Sequence, residues 1–256
     1  MLDSLAGLLE LTPGQTLFAL AVVFAAGIIR GFSGFALSAL TIAGLVAVLP
    51  PVALIPVCFV LETAASVVSV RGGLKDADRG IVTGLVVGSF VGLPIGLAAT
   101  RALDPDASRL AALALLLALA LAQLLRLAPA WLSTRSGLFG TGLAAGVATG
   151  IASIGGMVVA LYMLARELPA ATMRGSLVVF LFVGMATSGF WLVTSGVMDG
   201  LAARRGALLS PVVIAGVLLG AAFFHPSRQT LYRRVCLWLL VGLALLGLAR
   251  QLLGGG

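Results

Sequence analysis

The chain has 256 residues, of which 61% are hydrophobic and 10% charged, whereas a soluble domain carries about 25% charged residues. With 33 glycines besides and a mean hydropathy of +1.18, too little polar surface remains to face water. A soluble globular domain, a nucleic-acid binder and a disordered chain are excluded. Apolar runs close to the ~20 residues that cross a bilayer recur along the chain and point to an all-α polytopic membrane protein. The alternating ten-residue patterns of an outer-membrane barrel are absent.

The first ten residues hold Asp3 and Glu10 and no basic cluster, so a cleaved leader is not expected. Ten apolar segments follow, at 15–30, 34–49, 51–70, 80–100 and 107–125, then 137–152, 155–165, 171–196, 205–224 and 229–250. Residues 71–80 hold mixed charge and read as a solvated turn. The segments 34–49 and 155–165 are short. At about 1.5 Å per residue, 155–165 covers about half of the ~30 Å hydrocarbon core. That is the length of a re-entrant segment or of half a broken helix.

The two halves read as a duplication. Gly27-x-x-x-Gly31-Phe32-Ser33-Gly34 is matched 119 residues later by Gly146-x-x-x-Gly150-Ile151-Ala152-Ser153, and Gly92-Leu93-Pro94-Ile95-Gly96 is matched 124 residues later by Gly216-Val217-Leu218-Leu219-Gly220. Residues 1–130 and 131–253 are the two expected repeats. Internal duplication is a habit of secondary transporters.

The net charge is +7 and the pI about 11.0, with the 16 basic residues mostly between apolar runs, where they report topology. If each pair of leading segments enters and returns to one side, the basic residues divide roughly ten to five. If each pair is a single broken crossing, they divide roughly eight to seven. The first division obeys the positive-inside rule. It places both termini outside and makes the halves inverted repeats. Each repeat is then a Gly-broken, re-entrant hairpin followed by three transmembrane helices.

Two stretches carry the candidate chemistry. In Arg30-Gly31-Phe32-Ser33-Gly34-Phe35, glycines and a serine interrupt an apolar run beside an arginine. A break there frees backbone N–H groups at the start of the next half-helix, and such N-termini attract anions. Arg30 adds a permanent charge with a fork of donors suited to oxyanions. The competing reading is a tight glycine-mediated helix crossing with Arg30 snorkelling to an interface. The counterpart, Gly150-Ile151-Ala152-Ser153-Ile154-Gly155-Gly156, has Thr149 where the first has Arg30. Its own competing reading is a small-residue packing face. Glu62, in mid-span, is read either as carrier of a coupling proton, as counter-ion to Arg30, or as a packing hydrogen-bond partner.

Arg30-Gly-Phe-Ser-Gly-Phe, Leu49-Pro50-Pro51, Gly150-Ile-Ala-Ser-Ile-Gly-Gly and Arg174 resemble the TauE/SafE sulfite-exporter family, over most of the chain. The resemblance implies movement of sulfite, organosulfonates or related sulfur-containing or organic anions. Two positions depart from the family pattern: Ala36, where glycine is common, and Met157, where proline often stands.

No Walker-type motif occurs, which argues against ATP drive within the chain. Coupling to a proton or the membrane potential is expected. Cys58 and Cys236 lie inside apolar runs, so no disulfide framework is implied. His225, the only histidine, precedes Pro226 at a predicted loop, and neither a metal site nor a cofactor is expected. Trp131, Trp191 and Trp238 are candidate interface anchors.

The combined expectation is a multi-pass inner-membrane permease for a small anion, working by alternating access. Its partners are that anion and membrane lipid, with no nucleic acid, and homo-oligomerisation is left open. Substrate binding is assigned to Arg30, Gly31, Phe32, Ser33, Gly34, Gly150, Ser153, Gly155 and Gly156, with Glu62 as coupling group or counter-ion. The rival readings are a membrane scaffold and an intramembrane enzyme. The latter has only Ser33, Ser153 and Glu62 to work with, and no mid-span histidine, lysine or aspartate.

Overall fold

The structure is a computed structural model and describes residues 2–69, 75–127, 129–166, 168–223 and 229–253. Its elements are α1 (Leu2–Leu9), α2 (Pro13–Ser33), α3 (Leu37–Leu45), α4 (Pro51–Ser69), α5 (Arg79–Ala102), α6 (Pro105–Leu124), α7 (Arg135–Ala152), α8 (Gly155–Ala165), α9 (Ala170–Thr194), α10 (Gly200–Ala222) and α11 (Gln229–Leu253), with a 3₁₀ turn at Ala130–Ser133. No strand occurs among the described residues. Seven helices (α2, α4, α5, α6, α9, α10 and α11) are long and apolar enough to cross a membrane. The expected His225 loop, the glycine tail and residues 71–74 of the predicted turn lie outside the described residues.

Side-chain caps open most of the long helices, which is why they start where they do. The Thr12 hydroxyl accepts from the Gln15 N–H and the Gln15 side chain accepts from the Thr12 N–H, with Pro13 at the first helical position. Asp78, Asp104, Thr134 and Asp199 cap α5, α6, α7 and α10 in the same manner. Each cap satisfies backbone donors that would otherwise be left without partners at the helix start. The outer faces stay apolar, with Val87, Val91 and Ile95 on α5 and Leu245 and Leu246 on α11 all exposed, as contact with lipid requires.

One element was not expected. Helix α1 is too short for a span and buries only Ala6 and Leu9. It is pinned by Arg205 of α10, whose Nε donates to the Leu9 carbonyl at 2.8 Å. The helix that answers to segment 205–224 begins earlier, at Gly200, so Arg204 also lies within α10.

Helices pair across the two halves. α2 packs along α10, and α7 packs along α5. Glycines make both crossings. A Cβ on Gly27 would stand 2.7 Å from the Val213 carbonyl oxygen and one on Gly216 2.5 Å from that of Phe24. Gly31 and Gly220 lie against the same pair of backbones, while Gly92 and Gly96 oppose Gly146 and Gly150. The two glycine pairs singled out as repeats are thus the two faces of the two crossings. Close approach of this kind is how helices associate where lipid removes the hydrophobic drive.

Hydrogen bonds gather the helix ends into two groups. Val46 meets Arg109, Arg101 meets Ser195, and Leu9 meets Arg205. At the other group Ser176 meets Asp78 and Arg166 meets Ser133. Helix α3 doubles back along α2, placing Gly44 beside the Val22 side chain.

Candidate functional site

Two helix breaks and one buried ion pair build the site. Helix α2 runs on through Ser33 and stops at Gly34, whose φ of 82° puts it in the left-handed region; its N–H donates to the Arg30 carbonyl at 2.9 Å. Ala36 follows with φ of 75°, and α3 begins. Helix α7 stops at Ser153, with φ of 55°, and α8 begins at Gly155. The breaks therefore lie later than predicted. Residues 31–33 and 150–152 are helical, because the glycines there serve the crossings and not the turns. Gly155 is required for another reason: a Cβ there would meet the Thr149 hydroxyl and the Ala145 carbonyl.

Both breaks border one cavity of about 70 Å³. A water needs about 10–15 Å³ on this measure, so the space suits a small anion or several waters. One wall is α3 and α4, with Ala36, Ser38, Phe59 and Glu62. The opposite wall is α5, α7, α8 and α9, with Ser89, Ser153, Gly155, Gly156 and Ser188. The remaining lining is chiefly apolar.

Arg30 stands behind the first wall. It is 1% exposed, and its Nε donates to Glu62 Oε2 at 3.2 Å. Nη1 donates to the Gly34 carbonyl at 2.7 Å and Nη2 to Ser66 Oγ at 3.4 Å. The other oxygen of Glu62, Oε1, accepts from the Ser38 N–H at 3.3 Å and from Ser38 Oγ at 3.1 Å. Glu62 thus joins the start of α3 to the end of α2, with Arg30 fixing its other oxygen. The counter-ion reading of Glu62 describes this geometry.

The start of α8 differs. Ile154 offers no side-chain cap. Among the described residues no side chain accepts a hydrogen bond from the N–H of Gly155 or Gly156. The first turn is braced from behind: the buried Gln123 donates its amide to the Met157 carbonyl at 3.1 Å, and Arg233 donates to the Gln123 side-chain oxygen at 3.1 Å. Ser89 is 6% exposed and lines the cavity; its hydroxyl has no hydrogen-bond partner among the described residues.

Of the predicted residues, Ser153, Gly155, Gly156 and Glu62 come together at the cavity. Gly31 and Gly150 lie in the crossings. Phe32 is in the last turn of α2, off the cavity. Ser33 Oγ donates to the Phe35 carbonyl at 2.7 Å, and Gly34 serves the turn and receives Arg30. Ser38, Ser89 and Ser188 were missed. Each is a lone hydroxyl in an apolar run, and Ser38 carried the one readable signal, its place in the first turn after the break. Among the described residues no group of three histidine, cysteine, aspartate or glutamate side chains is placed to share a metal ion. Trp191 donates its indole N–H to the Phe90 carbonyl; its ring is tilted against Phe90 and edge-on to Phe190.

A family model described as Sulfite exporter TauE/SafE matches residues 19–247. Among curated proteins and among solved structures, nothing matches. The chain belongs to the sulfite exporter TauE/SafE family and is a multi-pass membrane transporter.

Proposed function

We propose that this member of the sulfite exporter TauE/SafE family moves a small sulfur-containing or organic anion by alternating access, holding it at the start of α8. The observation that carries the reading is the uncapped N-terminus of α8, opening on a cavity that Ser89 also lines, whose hydroxyl has no partner among the described residues. Free backbone donors and the helix dipole favour an anion there. Ser153 and Ser188 add neutral donors. The Glu62–Arg30 pair is close to neutral in sum, but Glu62 lines the cavity and Arg30 lies behind it, so the pair turns its negative end to the cavity. Arg30 acts through Glu62, as a positioning residue.

The halves 1–130 and 131–253 are proposed to be inverted repeats. Support comes from the reciprocal pairing of α2 with α10 and of α7 with α5, and from the doubling back of α3. The bodies that move are not the sequence halves. Sliding one half against the other would shear both glycine crossings. Each of the sets α2–α4–α10 and α5–α7–α9 packs internally, and they meet where α4 packs on α9 and α7 beside the cavity that α4, α5 and α9 line; rocking at that contact would open the cavity to either side.

The test is a thermal-shift panel on the purified protein with sulfite, sulfoacetate, taurine, thiosulfate, lactate and sulfate. A bound anion at a hundred times its Kd stabilises by about 2.7 kcal/mol. One or two anions should raise the melting temperature in wild type and fail to do so in Ser89→Ala with Ser153→Ala. No stabilisation by any anion overturns the reading.

A further inference from the structure

We infer that the Glu62 carboxylate is a tethered anion: it occupies the first of two corresponding anion positions in the cavity, leaving the start of α8 for one mobile anion. The inference rests on the assignment of α8 as the anion site.

Two helix N-termini border the cavity, and neither has a side-chain cap from its own flanking residue. On α3 the position is filled, because Glu62 reaches in from α4 and takes both the backbone N–H and the hydroxyl of Ser38. On α8 no side chain among the described residues reaches in. The difference is built into the sequence: Thr149 stands where Arg30 stands, and the cavity-lining residues of α9, among them Phe180, Gly184, Met185 and Ser188, include no acid. The second half lacks both the carboxylate and the cation that holds it. Among the described residues Arg30 has no other acidic partner, and each of its side-chain nitrogens is engaged inside the protein. Removal of the carboxylate therefore leaves a fixed buried positive charge beside free donors, which is a binding site for a small carboxylate.

The presence of a fixed negative group in so small a space weakens any second anion by Coulomb repulsion. This keeps occupancy of the α8 position reversible, as a transport site requires. It also means one mobile anion per protein molecule, although the fold supplies two corresponding N-termini.

The experiment uses the purified full-length protein, with methanesulfonate as probe of the α8 position and formate as probe of the α3 position. Wild type should bind one methanesulfonate per chain. Glu62→Ala should bind formate in addition to methanesulfonate, and formate should raise its melting temperature well beyond the rise in wild type. Arg30→Met combined with Glu62→Leu should lose that extra rise. Glu62→Gln fills the space and removes the charge, so it should keep one site and bind methanesulfonate roughly tenfold more tightly at low salt. If Glu62→Ala is not recovered with or without formate, the Glu62→Gln affinity decides. One methanesulfonate in wild type, with no formate effect in Glu62→Ala and no tightening in Glu62→Gln, overturns the inference and leaves the α8 site standing. No methanesulfonate in wild type beside a clear formate effect in Glu62→Ala overturns the α8 assignment and leaves Glu62 as the tethered anion.

Discussion

Gly27 sits where α2 meets α10, and replacing it with alanine measures how much the crossing depends on contact between bare backbones. The added Cβ would stand 2.7 Å from the Val213 carbonyl oxygen and 3.2 Å from the Gly216 Cα. Ordinary contact begins at 3.4 Å, so the two helices must part locally by 3.4 − 2.7 = 0.7 Å. The obstacle is backbone, which cannot swing aside as a side chain does. Overpacking of this kind costs about 1–3 kcal/mol. Alanine also gains helix propensity over glycine, by about 0.8–1.0 kcal/mol, and this hides part of the cost. Gly242→Ala in α11 supplies the correction, because a Cβ there meets nothing within 4 Å. Its propensity gain is the same, so the difference between the two variants isolates the crossing. We expect Gly27→Ala to be less stable than Gly242→Ala by about 1–3 kcal/mol, read by denaturant unfolding in detergent. Equal stability of the two variants would refute the claim that the crossing is closed by glycine.

Ala36 has φ of 75°, a conformation that disfavours an L side chain by roughly 1–2 kcal/mol, so Ala36→Gly should stabilise the protein by up to about 1 kcal/mol once glycine's greater chain entropy is set against it; destabilisation in the same unfolding assay would contradict the backbone assignment. Arg30→Ala leaves Glu62 without its cation and should cost about 3–5 kcal/mol, a loss that a variant with wild-type stability and anion affinity would disprove. Ser89→Ala removes a hydroxyl that has no partner among the described residues, so stability should hold while anion affinity falls by about 1.5–3 kcal/mol, the value of a hydrogen bond to a charged group; isothermal titration showing unchanged affinity would take Ser89 out of the site. A reporter fused at the C-terminus should read outside, and a cytoplasmic signal would invert the proposed topology.

Much of the helix inventory was legible because spans of this length announce themselves by composition. What was lost was lost for physical reasons. Helix α1 is eight residues long and owes its place to Arg205, a contact between residues nearly two hundred positions apart. Arg204 and Arg205 read as the edge of a span because charge usually ends one, yet the Arg205 side chain is folded against the Leu9 and Glu10 carbonyls. The glycine motifs were located correctly and their uses were mixed. Glycine permits a left-handed turn and permits close packing, and its one-letter code does not separate Gly34, which turns, from Gly31, which packs. Glu62 was visible as a costly charge in mid-span. Its two partners, Ser38 and Arg30, were not predictable as a set, because the rotation of α4 about its own axis decides which neighbours it meets. Ser89 is silent in the sequence for the same reason.

The pairing of α2 with α10 also sets an order of events during synthesis. From the end of α2 to the start of α10 the ribosome must add 200 − 33 = 167 residues, about 10–30 s at the usual pace of translation. Throughout that interval the grooved face of α2 around Gly27 is not yet packed against α10. Arg30 waits far less, because Glu62 follows it by 32 residues. The charge is therefore neutralised early, while the groove is closed last. Helix α7 has no such delay, since α5 precedes it. A nascent chain halted before residue 200 would hold one finished crossing and one open one.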